Sequence, residues 1–262
     1  MLNSSLMASF NPDLFRSVRP FPYFNFQEFL TPEAFEELYR DYPAREFFEM
    51  HTGLARPGGQ RPHDRFYLAY ASSIYKQVER KNNGVVQHHE LPESWQKFLD
   101  ELKSSCEYRA FLSELLGTSK FEMRFAWHIG VAGSEVSPHL DAAEKIGTHL
   151  FYFNKDADWD RRWGGATLAL EGKTKDGLNP DFTDFKGEIS SEILNNRSFL
   201  FKNTTEAWHG VRKLNCPESA KGRRLFTVIC DAAGARKMKP WSALVSFLKG
   251  NKKSSETPSS YY

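Results

Sequence analysis

From Ser119 onward the chain breaks into short β-like runs, Glu122–Val131, Gly147–Asn154, Ala166–Glu171, Ser198–Lys202, Ala207–Val211 and Arg223–Cys230, most of them parted by Gly, Asn or Asp. This texture predicts strands of an antiparallel barrel or sandwich. Ahead of Ser119 the period is helical. Trp95, Phe98, Leu99 and Leu102 share one face of a helix that starts near Pro92, and Phe111, Leu112, Leu115 and Leu116 mark a second that Gly117 would cap. A shorter helix opens at Thr31-Pro32, with Thr31 as N-cap and Pro32 in the first turn, where a missing N–H costs nothing; Phe35, Leu38 and Tyr39 continue it and Pro43 closes it. Arg19–Phe29 reads as an extended lead-in strand. Two stretches lack a period: Met50–Asn83, most loop-like at Arg56–Pro62, and the polar Lys173–Glu188, read as a long surface loop. Pro240–Leu248 reads as a terminal helix and Lys252–Tyr262 as a mobile tail. The expected organisation is one domain: residues 1–118 as a strand-and-helix support region, 119–235 as the β core, and 236–262 as C-terminal helix and tail.

Composition narrows the class. A chain of 262 residues can bury a full core, and 40% hydrophobic with 15% aromatic content is that of a compact fold rather than a disordered one. A net charge of +2 gives no reason to expect nucleic acid or a membrane surface as partner. The three cysteines show no C-x-x-C spacing, which argues against a disulfide framework or a zinc site and for a reducing compartment. Met1–Pro12 lacks the basic and apolar regions of a signal peptide, and no apolar run approaches the ~18–20 residues of a membrane span. The expectation is a cytoplasmic protein, with the oligomeric state left open.

The chemistry concentrates in three places. His139-Leu140-Asp141 sets a histidine and a carboxylate two apart, on the same side of an extended segment, where both can grip one ion. A second histidine follows in Ala207-Trp208-His209-Gly210-Val211. Two histidines and one carboxylate are the facial triad that holds non-haem Fe(II) and leaves coordination positions open. Further on, Gly222-Arg223-Arg224-Leu225-Phe226-Thr227-Val228 offers a basic residue at the start of a strand, as a dicarboxylate co-substrate would need.

The order and surroundings of these residues, from about Phe121 to Asp231, resemble the Fe(II)/2-oxoglutarate-dependent dioxygenases of the prolyl-4-hydroxylase-like branch. The resemblance rests on His139-x-Asp141, the run Leu150–Asn154, Trp163-Gly164-Gly165, Phe199–Phe201, His209, and Arg223 with Thr227. It implies a mainly β fold, a double-stranded β-helix (jelly-roll, cupin-like) core braced by helices. It implies His139, Asp141 and His209 as metal ligands, with Fe(II), 2-oxoglutarate and O₂ consumed in hydroxylating an unactivated C–H and ascorbate as an optional reductant. Arg223 would bind the distal carboxylate of 2-oxoglutarate, helped by Tyr152 and Thr227, and the strand carrying Trp127 and His128 would also face the co-substrate. Arg224 falls on the opposite face of its strand, and a register slip of one would exchange the two arginines. His149, out of phase with Tyr152, is expected on the other side of its strand. In related halogenases a small residue replaces the carboxylate, so Asp141 argues for hydroxylation or another oxidation.

The substrate is less legible. Arg56, Arg61 and Arg65, near the barrel mouth, are candidates to recognise a carboxylate; ordinary loop charges are the plainer reading. An amino-acid-like small molecule, a specialised metabolite and a peptidyl (prolyl-type) residue all stay open. The alternative to an enzyme is a non-catalytic cupin-like metal- or ligand-binding or sensor protein, which would have little need of Arg223 together with Tyr152.

Overall fold

The computed structural model describes residues 1–54, 60–73 and 84–234. Along the chain the regular elements are α1 (Ser4–Ser9), α2 (Pro12–Ser17), β1 (Tyr23–Gln27), α3 (Pro32–Arg40), β2 (Glu49–His51), β3 (Arg65–Tyr70), β4 (Val85–Val86), α4 (Glu93–Ser104) and α5 (Cys106–Leu116). There follow β5 (Phe121–Gly130), β6 (Val136–His139), β7 (Lys145–Tyr152), β8 (Leu168–Lys173), β9 (Phe185–Ser190), β10 (Arg197–Lys202), β11 (His209–Val211) and β12 (Arg223–Ala232).

The strands form two sheets. The larger runs β1-β10-β7-β12-β5-β3-β2, with β4 added in parallel to β3; the smaller runs β6-β11-β8-β9. All other pairings are antiparallel. The fold is mainly β with flanking helices, as the sequence pattern predicts.

The larger sheet is covered on both faces, which is why its strands carry so many aromatics. On the helical side Trp127, Phe151 and Phe226 pack under α4, with the Trp95 ring 5.2 Å from Phe226 and 5.3 Å from Trp127. Next-neighbour residues Tyr152, Leu225 and Phe201 turn the other way, into a second cluster with Val211 and Leu214. His149 lies with the helical side: its Nδ1 pairs with the Tyr108 hydroxyl and its Nε2 with Ser198 Oγ, both at 3.0 Å. Opposite sides for His149 and Tyr152 is the expected phase.

The helix signals hold where local chemistry is strong. Thr31 caps α3 by accepting from the Ala34 N–H, Pro32 fills its first turn, and Gly117 ends α5 in the left-handed region at φ 75°. No described helix is long and apolar enough to cross a membrane.

Two expectations need correction, and one segment carries elements that the pattern did not announce. Met50–Asn83 is not irregular throughout: β2 and β3 lie within or against it, and β3 pairs with β5 in the main sheet. Nor is Lys173–Glu188 all loop, since β8 reaches Lys173 and most of β9 follows, tied to β8 by the ladder Leu168–Lys173 against Phe185–Ser190. Lastly, α1 and α2 begin at Asn3 and Asn11 caps within a segment read only for signal-peptide features. The expected terminal helix and tail lie outside the described residues.

Candidate active site

Between the two sheets lies a cavity of about 150 Å³, room for on the order of ten waters. The smaller sheet supplies the wall that carries the His-Asp-His cluster. His139 ends β6 and His209 opens β11, and the two are direct partners across that ladder. Asp141 follows β6 by two residues with a buried carboxylate, and one ligand atom from each of His139, Asp141 and His209 lies within 4.8 Å of the others.

The donor chemistry suits a divalent ion. Nδ1 of His139 contacts the Ser137 carbonyl and Nδ1 of His209 the Ala207 carbonyl, both at 2.9 Å. A carbonyl can only accept, so each Nδ1 carries the proton and each Nε2 presents a lone pair in the neutral ring. His139 Nε2 stands 3.9 Å from Asp141 Oδ1, less than twice a metal–ligand bond of about 2.1 Å. Burial would raise the Asp141 carboxyl, but positive charge beside it, the Lys145 ammonium foremost, more than offsets this and holds it well below the ordinary range. Lys145 Nζ lies 2.5 Å from Asp141 Oδ1. The carboxylate stays ionised, as a ligand must.

Arg223 closes one end of the cavity. It is 6% exposed, and among the described residues no carboxylate pairs with its guanidinium. Its Nε donates to the Gly165 carbonyl, its Nη2 reaches Thr167 Oγ1 at 3.3 Å, and its Cζ lies 5.4 Å from the Tyr152 ring centre. Gly165 is required there: at φ +98°, a Cβ would come 2.9 Å from Arg223 Cδ. Burial is the main cause that lowers the Arg223 pKa from its usual value, and nearby Arg65 adds to it. A buried cation without a counter-ion is costly unless an anion joins it. The Tyr152 hydroxyl, 3.2 Å from Ser191 Oγ, donates to Thr167 Oγ1 at 2.7 Å, and burial raises its pKa.

Thr227 and His128 lie further along the same inner face. Thr227 donates to the Ala126 carbonyl at 3.0 Å, so the 3.3 Å contact with His128 is a bond donated by His128 Nε2. His128 Nδ1 is then a buried acceptor without a hydrogen-bond partner. Burial first, then Arg65 and Arg223, drive the His128 pKa well down, so the ring is neutral.

The three arginines near the mouth part company. Arg65 lines the cavity, whereas Arg61 pairs with Asp181 at 2.9 Å and donates to the Pro180 carbonyl, away from the cavity wall. Arg56 lies outside the described residues. Sequence reasoning missed His63, whose buried ring packs edge-on against His139 at 4.5 Å, and Lys145 on Asp141. Lys145 follows Asp141 by four residues and could have been found; His63 approaches only through the fold.

No family signature matches the chain, and a search of curated proteins by sequence found no match. Comparison of folds is more informative. A carbocyclase, the non-haem α-ketoglutarate-dependent SnoK of nogalamycin biosynthesis, superposes with TM-score 0.53 at 12% identity over 86% of this chain and 85% of its own. A prolyl 4-hydroxylase from Phytophthora capsici gives 0.52 at 14% identity over 95% and 74%. The epimerase SnoN of the same nogalamycin pathway gives 0.51 at 12% over 88% and 84%.

The fold is that of the 2-oxoglutarate oxygenases. Within this jelly roll, His139, Asp141, His209, Arg223 and Tyr152 face one cavity, or in Tyr152's case the residues that line it, whereas Arg224 turns to the other face of β12.

Proposed function

We propose that the protein is an Fe(II)- and 2-oxoglutarate-dependent dioxygenase that hydroxylates an unactivated C–H of a small molecule or peptidyl residue. One observation carries this reading: a buried Arg223, with no paired carboxylate among the described residues, shares a cavity with an ionised Asp141 and two neutral histidines. A metal-binding module has no use for the arginine; a dicarboxylate co-substrate does.

His139, Asp141 and His209 would hold the ion, their carbonyl-fixed tautomers and Lys145 keeping three donors in place. Fe(II) with 2-oxoglutarate and O₂ would supply the oxidising power, yielding succinate and CO₂. Arg223 would take the distal carboxylate of the co-substrate through its planar fork, while Tyr152 and Thr167 keep that fork oriented. His128 would offer its open Nδ1 to a donor in the cavity. Leu214, Leu225 and Phe201 exclude bulk water around these groups.

Succinate release from 2-oxoglutarate, measured with and without Fe(II), tests the reading. It should require both Fe(II) and O₂ and vanish in His139→Ala and Asp141→Ala. Full release by either variant would remove the triad from the mechanism.

A further inference from the structure

Asp64 and Arg65 stand side by side at the start of β3, and both line the cavity. Phe66 pairs with Ile129 and Arg223 with Gly130. Continuing that register puts Arg65 in one row with Gly130 and Arg223, on the wall that lines the cavity. Arg223 is the deeper of the two arginines; Arg65 is only half-buried, toward the opening.

Asp64 adds the opposite charge. Its Oδ1 is buried without a hydrogen-bond partner, and it makes no ion pair among the described residues. The Asp64 backbone is fixed to the loop ahead of β6, its N–H donating to the Glu135 carbonyl at 3.3 Å. His63 next to it packs on His139, and its Nδ1 lies 3.5 Å from Arg65 Nη1. The pair of charges therefore borders the metal-binding histidines.

We infer that the substrate is a free amino acid or close analogue, its carboxylate held by Arg65 and its ammonium by Asp64. This rests on the oxygenase reading above. An α-amino acid carries its two charges on neighbouring groups, as the wall does on neighbouring residues. A guanidinium meets a carboxylate in a paired, planar contact, and an ammonium satisfies the orphaned Asp64 oxygen. An internal peptide residue has neither charge and would leave Asp64 buried and unpaired, which a site built for hydrogen bonding rejects strongly.

The test begins with the full chain under anaerobic Fe(II) and 2-oxoglutarate, followed by the weak visible absorption of the chelated complex. The common L-amino acids are then added singly, each beside its N-acetyl and its amide form. At least one free amino acid should perturb the absorption and, in air, raise succinate release tenfold or more. Its N-acetyl and amide forms should bind at least a hundredfold more weakly. Asp64→Asn and Arg65→Gln should each raise the half-saturating amino-acid concentration at least tenfold, with a much smaller effect on that of 2-oxoglutarate. The inference is overturned if no amino acid perturbs the complex, if a blocked form binds as well as its parent, or if Arg65→Gln weakens 2-oxoglutarate instead. Absence of the absorption before any amino acid is added is a different result: the oxygenase reading itself then fails.

Discussion

Two adjacent arginines show how much a single residue's direction decides. Arg223 enters the cavity, whereas Arg224 leaves it, pairing with Asp158 at 2.6 Å and lying 4.6 Å over the Tyr39 ring. Arg223→Ala should weaken 2-oxoglutarate binding about 30- to 150-fold, the equivalent of roughly 2–3 kcal/mol for a charge-assisted bond. Arg224→Ala should instead cost about 2 kcal/mol of stability, with little change in that affinity; equilibrium denaturation and a co-substrate titration separate the two. The alternation of a strand made this assignment legible, since the motif placed Arg223 in phase with Thr227. His149 gives a second residue-level outcome. Burial drives its pKa down to about 3, so the folded state resists a proton that the unfolded chain accepts near pH 6.5. Its contribution is complete above pH 6.5 and is lost as pH falls toward 3, by about 2 kcal/mol at pH 5. Urea midpoints at pH 7.5 and pH 5 should therefore differ, and His149→Phe should narrow the difference.

Elements were legible when their pattern was carried by local chemistry. Both long helices declare an apolar stripe, and Thr31-Pro32 and Gly117 declare ends. β3 and β9 failed for opposite reasons. In β3, Phe66, Tyr67, Leu68 and Ala69 run apolar without alternation because both faces are covered, amid glycine- and proline-rich neighbours. β9 is an edge strand with mostly exposed side chains, so no hydrophobic signal marks it, and its ladder to β8 is what places it in the sheet. In the Trp163-Gly164-Gly165 segment the missing side chain of Gly165 lets Arg223 pack directly against the backbone. Gly165→Ala combines a strained φ with a clash against Arg223 Cδ. It should lower stability by about 1–3 kcal/mol and weaken 2-oxoglutarate binding as well. A variant with unchanged co-substrate affinity would mean that Arg223 needs no such positioning.

For the molecule as a whole, the sheets bring together residues that no local pattern connects. His139 and His209 meet only because β6 and β11 pair, and His63 reaches them only because β3 joins the larger sheet beside β5. Sequence order could therefore suggest the triad by resemblance but could not supply its neighbours. Linkage gives a global consequence. Fe(II) at a hundred times its dissociation constant should stabilise the fold by about 2.7 kcal/mol, a rise in melting temperature that a chelator reverses and that His209→Ala lacks.

The most direct measurement is visible absorption of metal-free protein titrated anaerobically with Fe(II) and 2-oxoglutarate. A weak charge-transfer band should develop only when both are present, and Arg223→Ala should require much more 2-oxoglutarate to form it. Iron bound without any band at saturating 2-oxoglutarate would contradict the assignment and leave a metal-binding module in its place.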